Sequence, residues 1–163
     1  MPDVYILLGS NLGDCFKNIE QAIELITSSM GKLKLLSSLY KTAAWGVHNQ
    51  PDFINQVVVI ESQLNPTQLL ENILKIESVL GRKKLEKWGS RIIDVDILFY
   101  GSDLIYEENL KIPHVELHNR RFTLMPLMEI APDFMHPKLN RTIKELFQNL
   151  TDTLPVQQLN TNI

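Results

Sequence analysis

The stretch KKLEKWGSRIIDVDILFYG, Lys83 to Gly101, has two unlike halves. The first half is crowded with cations. The second, IIDVDILFYG, is rich in β-branched and apolar residues and stops at a glycine, which predicts a strand. Two aspartates, Asp94 and Asp96, sit inside it. Side chains alternate along a strand, so both carboxylates project to one face while Ile93, Val95 and Ile97 project to the other. The fold depends on what precedes this strand.

Upstream, VYILLGS is a short buried strand, and NLGD turns into a helix with Asp14 as candidate N-cap. Phe16, Ile19, Ala22, Ile23 and Ile26 recur at helical spacing, and Gly31 ends that helix. KLKLLSSLYKT reads as a second strand. AAWGVHNQPD is a loop, and FINQVVVIESQL is a long third strand. Asn65 and Pro66 then open a helix as N-cap and first helical residue. Leu69, Leu70, Ile73, Ile76, Glu77 and Leu80 form one broad face of it, up to Gly81.

The order is therefore β-α-β-β-α-β. That is the ferredoxin-like α+β signature, a mostly antiparallel sheet with helices on one face. SDLIYEENLKIPH predicts a short β excursion. Helices near Leu124 to Ile130 and Thr142 to Leu150 follow, and the polar tail from Thr151 is expected to fray. With 163 residues, the chain is expected to form a single domain, 1–163, with a sizeable core. A net charge of −3 gives no sign of a nucleic-acid or anionic-membrane surface. Cys15 is the only cysteine, which excludes an intramolecular disulfide and fits a reducing cytosol. The first apolar run lacks a basic flank and is too short for a signal or membrane segment.

Two like charges at i and i+2 repel. A lone D-x-D in a strand is more often a solvated outer face than a site. The alternative is a hard-cation site, since Mg²⁺ is usually held by one or two carboxylates plus substrate phosphates. The adjoining loop favours that alternative. Arg82, Lys83, Lys84, Lys87 and Arg91 fall within the ten residues 82–91, interleaved with Trp88 and Gly89. A charge run is ordinarily a solvated surface, but cations beside a carboxylate pair suit polyphosphate chemistry. GSNLG, Gly9 to Gly13, lacks the spacing of a phosphate loop and reads as a tight strand-to-helix turn. The four histidines have no zinc spacing, although His114, near Arg120 and Arg121, could meet phosphate. Trp45 and Phe53 flank a loop and suit either a flat ring or core packing.

KWGSRIIDVDIL closely resembles the signature of the 6-hydroxymethyl-7,8-dihydropterin pyrophosphokinase family of folate biosynthesis. GSNLGD, YKTAAWG, QPDFINQVV and IPHVELHNRRFTLMPLMEIAPD resemble the same family in the same order, over roughly Val4 to Pro137. The resemblance implies a ferredoxin-like fold with extra strands and mobile active-site loops. It implies transfer of pyrophosphate from ATP, as co-substrate, to the pterin hydroxymethyl oxygen, with release of AMP. Asp94 and Asp96 match the aspartates that hold two Mg²⁺ ions. Arg82 and Arg91 match arginines that meet the phosphates during transfer, and Lys84 stands where an arginine is common. Glu77, His114 and Arg120 match nucleotide-side residues. Thr42, Trp45, Phe53, Asn55, Trp88 and Phe122 match the pterin pocket, with Phe53 and Phe122 enclosing the ring and Asn55 bonding its edge. Ala44, Ser90 and Val115 depart from the usual pattern.

A monomeric, cytoplasmic enzyme binding ATP and the pterin, with no nucleic-acid or membrane partner, is the resulting expectation. Two rivals remain. A nucleotidyltransferase on a similar sheet would want a basic surface. An RNA-binding module would want exposed sheet aromatics and would leave the aspartates unexplained.

Overall fold

The computed structural model describes residues 1–43, 51–81 and 92–159. Strands β1 (Asp3–Ser10), β2 (Lys32–Leu36), β3 (Leu39–Thr42), β4 (Phe53–Glu61), β5 (Asp94–Tyr100) and β8 (Val156–Leu159) form one antiparallel sheet. Its order is β5-β1-β4-β3-β8, and β2 also pairs with β4. Helices α1 (Cys15–Ser29) and α2 (Pro66–Val79) complete the βαββαβ core. A hairpin of β6 (Ile105–Glu107) and β7 (Leu110–Ile112), then α3 (Arg121–Ile130) and α4 (Ile143–Gln148), follow. A 3-10 turn at Leu117–Asn119 leads into α3.

Both predicted caps are present. The Asp14 side chain accepts from the Lys17 N–H at 3.2 Å. Asn65 and Gln68 form a reciprocal capping box ahead of Pro66. Each cap satisfies N–H groups that a helix start leaves unpaired.

The sheet separates two cores. Val4, Ile6 and Leu8 of β1 meet Ile19 and Ile26 of α1 and Leu69 and Ile73 of α2. Tyr5 and Leu7, pointing the other way, meet Leu124 and Leu127 of α3 and Ile143 of α4. Tyr5, Phe99 and Phe134 pack there with ring centroids 4.7–5.6 Å apart. Burial of each such side chain contributes about 1.5–3 kcal/mol. The helices therefore cover both faces, where one face was expected. The βαββαβ core accounts for α1 and α2 only, and the apolar sequence after β7 supplies the second layer.

Two further expectations change. KLKLLSSLYKT is two strands, because Ser37 interrupts the ladder. Its N–H donates to the Val57 carbonyl at 2.9 Å, and its Oγ accepts from the Val57 N–H at 2.9 Å. The tail from 151 is not frayed through residue 159. Val156–Leu159 pairs along β3, which offers it an open edge. The expected mobile basic loop, 82–91, lies outside the described residues.

Candidate functional site

Register builds the site. Gly9 of β1 lies opposite Asn55 of β4 on one side and Asp94 of β5 on the other. Tyr40 of β3 lies opposite Asn55 in turn. Paired residues of antiparallel strands share a face, so Asp94, Gly9, Asn55 and Tyr40 form one row across four strands. Asp96 occupies the next position on that face, opposite Leu7. The Asp94 and Asn55 backbones are two strand spacings apart, roughly 10 Å.

β5 shifts register between Tyr5 and Ile6, with Leu98 as its extra residue. The bulge lets both Leu98 and Phe99 enter the α3–α4 core. Beyond it, towards Asp94, the strand resumes simple alternation. Val95 and Ile97 then enter the α1–α2 core, while the half-buried Asp94 and Asp96 stay on the opposite face. Glu77 supports this end of the strand. It is only 6% exposed, and its Oε2 accepts the Val95 N–H at 3.3 Å, between the two aspartates.

His114 is anchored against β5 by its own N–H, which donates to the Leu98 carbonyl at 3.1 Å. Its Nδ1 accepts the Glu116 N–H at 3.2 Å, which assigns the remaining ring proton to Nε2. Burial lowers its pKa, Asp96 opposes that, Arg120 adds to it, and Glu116 opposes it. The imidazole is thus a neutral donor at pH 7, within electrostatic reach of Asp96 and Arg120. Beside it opens a cleft of about 300 Å³, with Leu70 and Ile73 on one wall and Asp96, Asn109 and His114 on others. Glu108 and Lys111 also line it, so the cleft offers charge of both signs beside its apolar wall.

The other end of the row holds Asn55, with the Thr42–Phe53 pair at the next position on the same face. The Asn55 amide donates to the Leu8 carbonyl at 3.3 Å. Its Oδ1, and the Thr42 Oγ1, are buried with no partner among the described residues. An unmet buried polar atom costs about 1–3 kcal/mol, so two together make this spot a candidate for binding a ligand. Phe53 lies opposite Thr42 and is half-buried. Phe122, in the first turn of α3, packs on the second core with the Arg120 guanidinium 5.6 Å from its ring centroid.

The structure thus gathers Asp94, Asp96, Glu77 and His114 at one end and Thr42, Phe53 and Asn55 at the other, with Arg120 and Phe122 stacked on each other at the start of α3. Arg82, Lys84, Arg91, Trp45 and Trp88 lie outside the described residues. In the sequence Gly9 reads only as the end of the first strand and the start of the turn after it. Its place between Asp94 and Asn55 depends on cross-strand register, which has no local signal. The Asn11 and Asn18 amides brace that turn, donating to the Pro51 carbonyl at 3.2 Å and the Leu12 carbonyl at 2.9 Å.

These features define a ferredoxin-like α+β domain with a carboxylate pair and two buried, unpartnered polar atoms on one sheet face. The model of the family 7,8-dihydro-6-hydroxymethylpterin-pyrophosphokinase matches residues 5–132. The chain belongs to that family. A 2-amino-4-hydroxy-6-hydroxymethyldihydropteridine pyrophosphokinase of Haemophilus influenzae is 41% identical over 153 residues, 93% of this chain and 95% of its own. One from Aquifex aeolicus is 41% identical over 145 residues, 89% of this chain and 90% of its own. Wild-type Plasmodium falciparum HPPK-DHPS superposes with a TM-score of 0.74 at 20% identity, a likeness of fold. That match covers 90% of this chain and 44% of the longer one.

Proposed function

We propose that this chain transfers the pyrophosphoryl group of ATP to the hydroxymethyl oxygen of 6-hydroxymethyl-7,8-dihydropterin, with Asp94 and Asp96 holding Mg²⁺ beside the transferred group. Pyrophosphokinase activity in folate biosynthesis follows from the family. The residue roles rest on one observation above the others. The Asp94–Gly9–Asn55 row sets a carboxylate pair and a buried, unpartnered amide oxygen on the same sheet face.

The donor set fits Mg²⁺. Both candidates are carboxylates on one rigid strand, and among the described residues no group of three or more His, Cys, Asp or Glu forms a protein cage. Mg²⁺ is commonly bound this way, with substrate phosphates completing its shell. A cation there supplies charge neutralisation on the triphosphate. Two ions are the family expectation for the pair.

Asn55 and Thr42 present unmet polar atoms to the pterin edge, and Phe53 and Phe122 supply aromatic faces. His114 donates Nε2–H to the nucleotide without adding charge, while Arg120 adds a cation on that side. Glu77 fixes the strand from behind. Arg82, Lys84 and Arg91 complete the phosphate contacts, and Trp45 and Trp88 the pterin pocket. The hydroxymethyl oxygen forms its bond to the β-phosphorus. The bond from that phosphorus to the α–β bridging oxygen breaks, AMP departs with that oxygen, and the hydroxyl proton passes to solvent. Holding both reactants on one sheet face converts this into an effectively unimolecular step.

In this reading the enzyme acts as a cytoplasmic monomer on small molecules, without nucleic-acid or membrane partners. No described helix is long and apolar enough to cross a membrane. Incubation with ATP, Mg²⁺ and 6-hydroxymethyl-7,8-dihydropterin should yield AMP and the pterin diphosphate. Formation of ADP, or no turnover, overturns the reading.

A further inference from the structure

We infer that the C-terminal segment Asp152–Leu159 is a positioning element of the pterin pocket, fastening its two walls together. The inference rests on the assignment of Thr42 and Phe122 to that pocket. α3 carries Phe122 in its first turn, and it starts without a local cap. The residue before it is Arg120, whose side chain makes no capping bond. The cap comes from 31 residues downstream. Asp152 Oδ2 accepts the Arg121 N–H at 3.0 Å, and Oδ1 accepts the Leu154 N–H at 2.9 Å. The second bond holds the carboxylate in the orientation the first requires. A negative charge at a helix N-terminus is also favourable in itself.

Four residues later the same segment becomes β8 and seals the other wall. Val156 lies opposite Thr42, and Gln158 opposite Tyr40. The Gln158 amide donates to Ser38 Oγ at 3.0 Å. Thr42 is thereby bracketed between Phe53 and Val156, with its hydroxyl oxygen buried and unpartnered. Neither wall needs this segment to exist, since β3 pairs with β4 and α3 packs on the second core. What the segment adds is a short stretch of chain, hydrogen-bonded to both walls, that sets Thr42 and Phe122 relative to one another. A ring enclosed by Phe122 and by Phe53, which pairs with Thr42, is sensitive to that spacing.

The test is calorimetry on the full chain with 6-hydroxymethyl-7,8-dihydropterin, in the presence of a saturating non-hydrolysable ATP analogue and Mg²⁺. Asp152→Ala should weaken pterin binding about fivefold, the scale of a lost helix cap. Affinity for the ATP analogue should fall less than pterin affinity, since the Asp94–Asp96 strand is untouched and only Arg120 on the nucleotide side adjoins the uncapped helix start. Asp152→Asn keeps an accepting oxygen and should recover part of the loss. Unchanged pterin affinity in Asp152→Ala overturns the inference, and so does a parallel loss of both ligands, which would signal general destabilisation. Phe122→Ala separates this from the site assignment. If Phe122→Ala weakens pterin binding and Asp152→Ala does not, only the positioning role fails. If the wild-type chain binds no pterin, or Phe122→Ala binds it normally, the site assignment fails and the inference falls with it.

Discussion

Gly9 and Asn55 are in contact because Gly9 has no side chain. A Cβ on Gly9 would stand 2.8 Å from Asn55 Nδ2 and 3.8 Å from Phe53 Cδ1. The glycine serves a close approach rather than an unusual backbone angle. Gly9→Ala should push the Asn55 amide off the Leu8 carbonyl and out of line with the pterin edge. Loss of one buried partner costs about 1–3 kcal/mol, so pterin affinity should fall fivefold or more. Nucleotide-analogue binding should hold. Calorimetry with each ligand checks this, and an Ala variant with unchanged pterin affinity would refute it.

Asp94→Ala and Asp96→Ala should each abolish nearly all turnover and leave the chain folded. Both side chains lie on the face away from the α1–α2 core and are only half-buried. Single-turnover assays across a Mg²⁺ titration, paired with urea unfolding, separate chemistry from stability. Near-normal activity of either variant at limiting Mg²⁺ would rule out the carboxylate pair as the metal site.

Glu129 ties α3 to β3. Its carboxylate accepts from the Ser38 N–H at 2.8 Å, the Ser38 hydroxyl at 2.6 Å and the Tyr40 hydroxyl at 2.8 Å. Tyr40 is almost wholly buried, and burial, followed by the Glu129 bond and charge, drives its phenol pKa upward. Glu129→Ala orphans the buried Tyr40 hydroxyl, while water reaches the Ser38 donors, and should destabilise the protein by about 1–2 kcal/mol. Glu129→Gln should recover roughly half of that in urea unfolding. A loss under about 0.5 kcal/mol would show that water replaces the carboxylate freely.

His136 makes stability depend on pH. It is buried, and its Nδ1 accepts the Lys138 and Leu139 N–H groups, each at 3.1 Å. Burial, with added repulsion from His118 and Lys138, lowers its pKa to about 4. In the unfolded chain a histidine titrates near 6.5, so between about pH 6.5 and 4 the unfolded state binds the extra proton. This contribution to stability is complete above that window and is lost as pH falls through it. From pH 7 to 5 the loss should be about 2 kcal/mol. His136→Asn should flatten that part of the profile. A wild-type profile that is level from pH 7 to 5 would exclude a neutral buried imidazole.

Much of this molecule is written locally. The period-2 run around Asp94 and Asp96, the 3.6-residue spacing of Ile19, Ala22 and Ile26, and the Asn65–Pro66 start each depend on near neighbours in the chain. They specify the βαββαβ order and the common face of the aspartates without tertiary information. The family motifs carry the remaining site residues. Which strands lie side by side is a different matter. The Asp94–Gly9–Asn55 row joins residues far apart in sequence, and only the packed sheet decides that register. The second helical layer, the break at Ser37 and the Glu129 network arise the same way, from faces that must find partners. β8 is the plainest case. VQQL carries little strand signal, yet the open edge of β3 offers it a ladder of hydrogen bonds. Local chemistry determined the elements and the charged face, and long-range pairing decided which polar atoms meet across it.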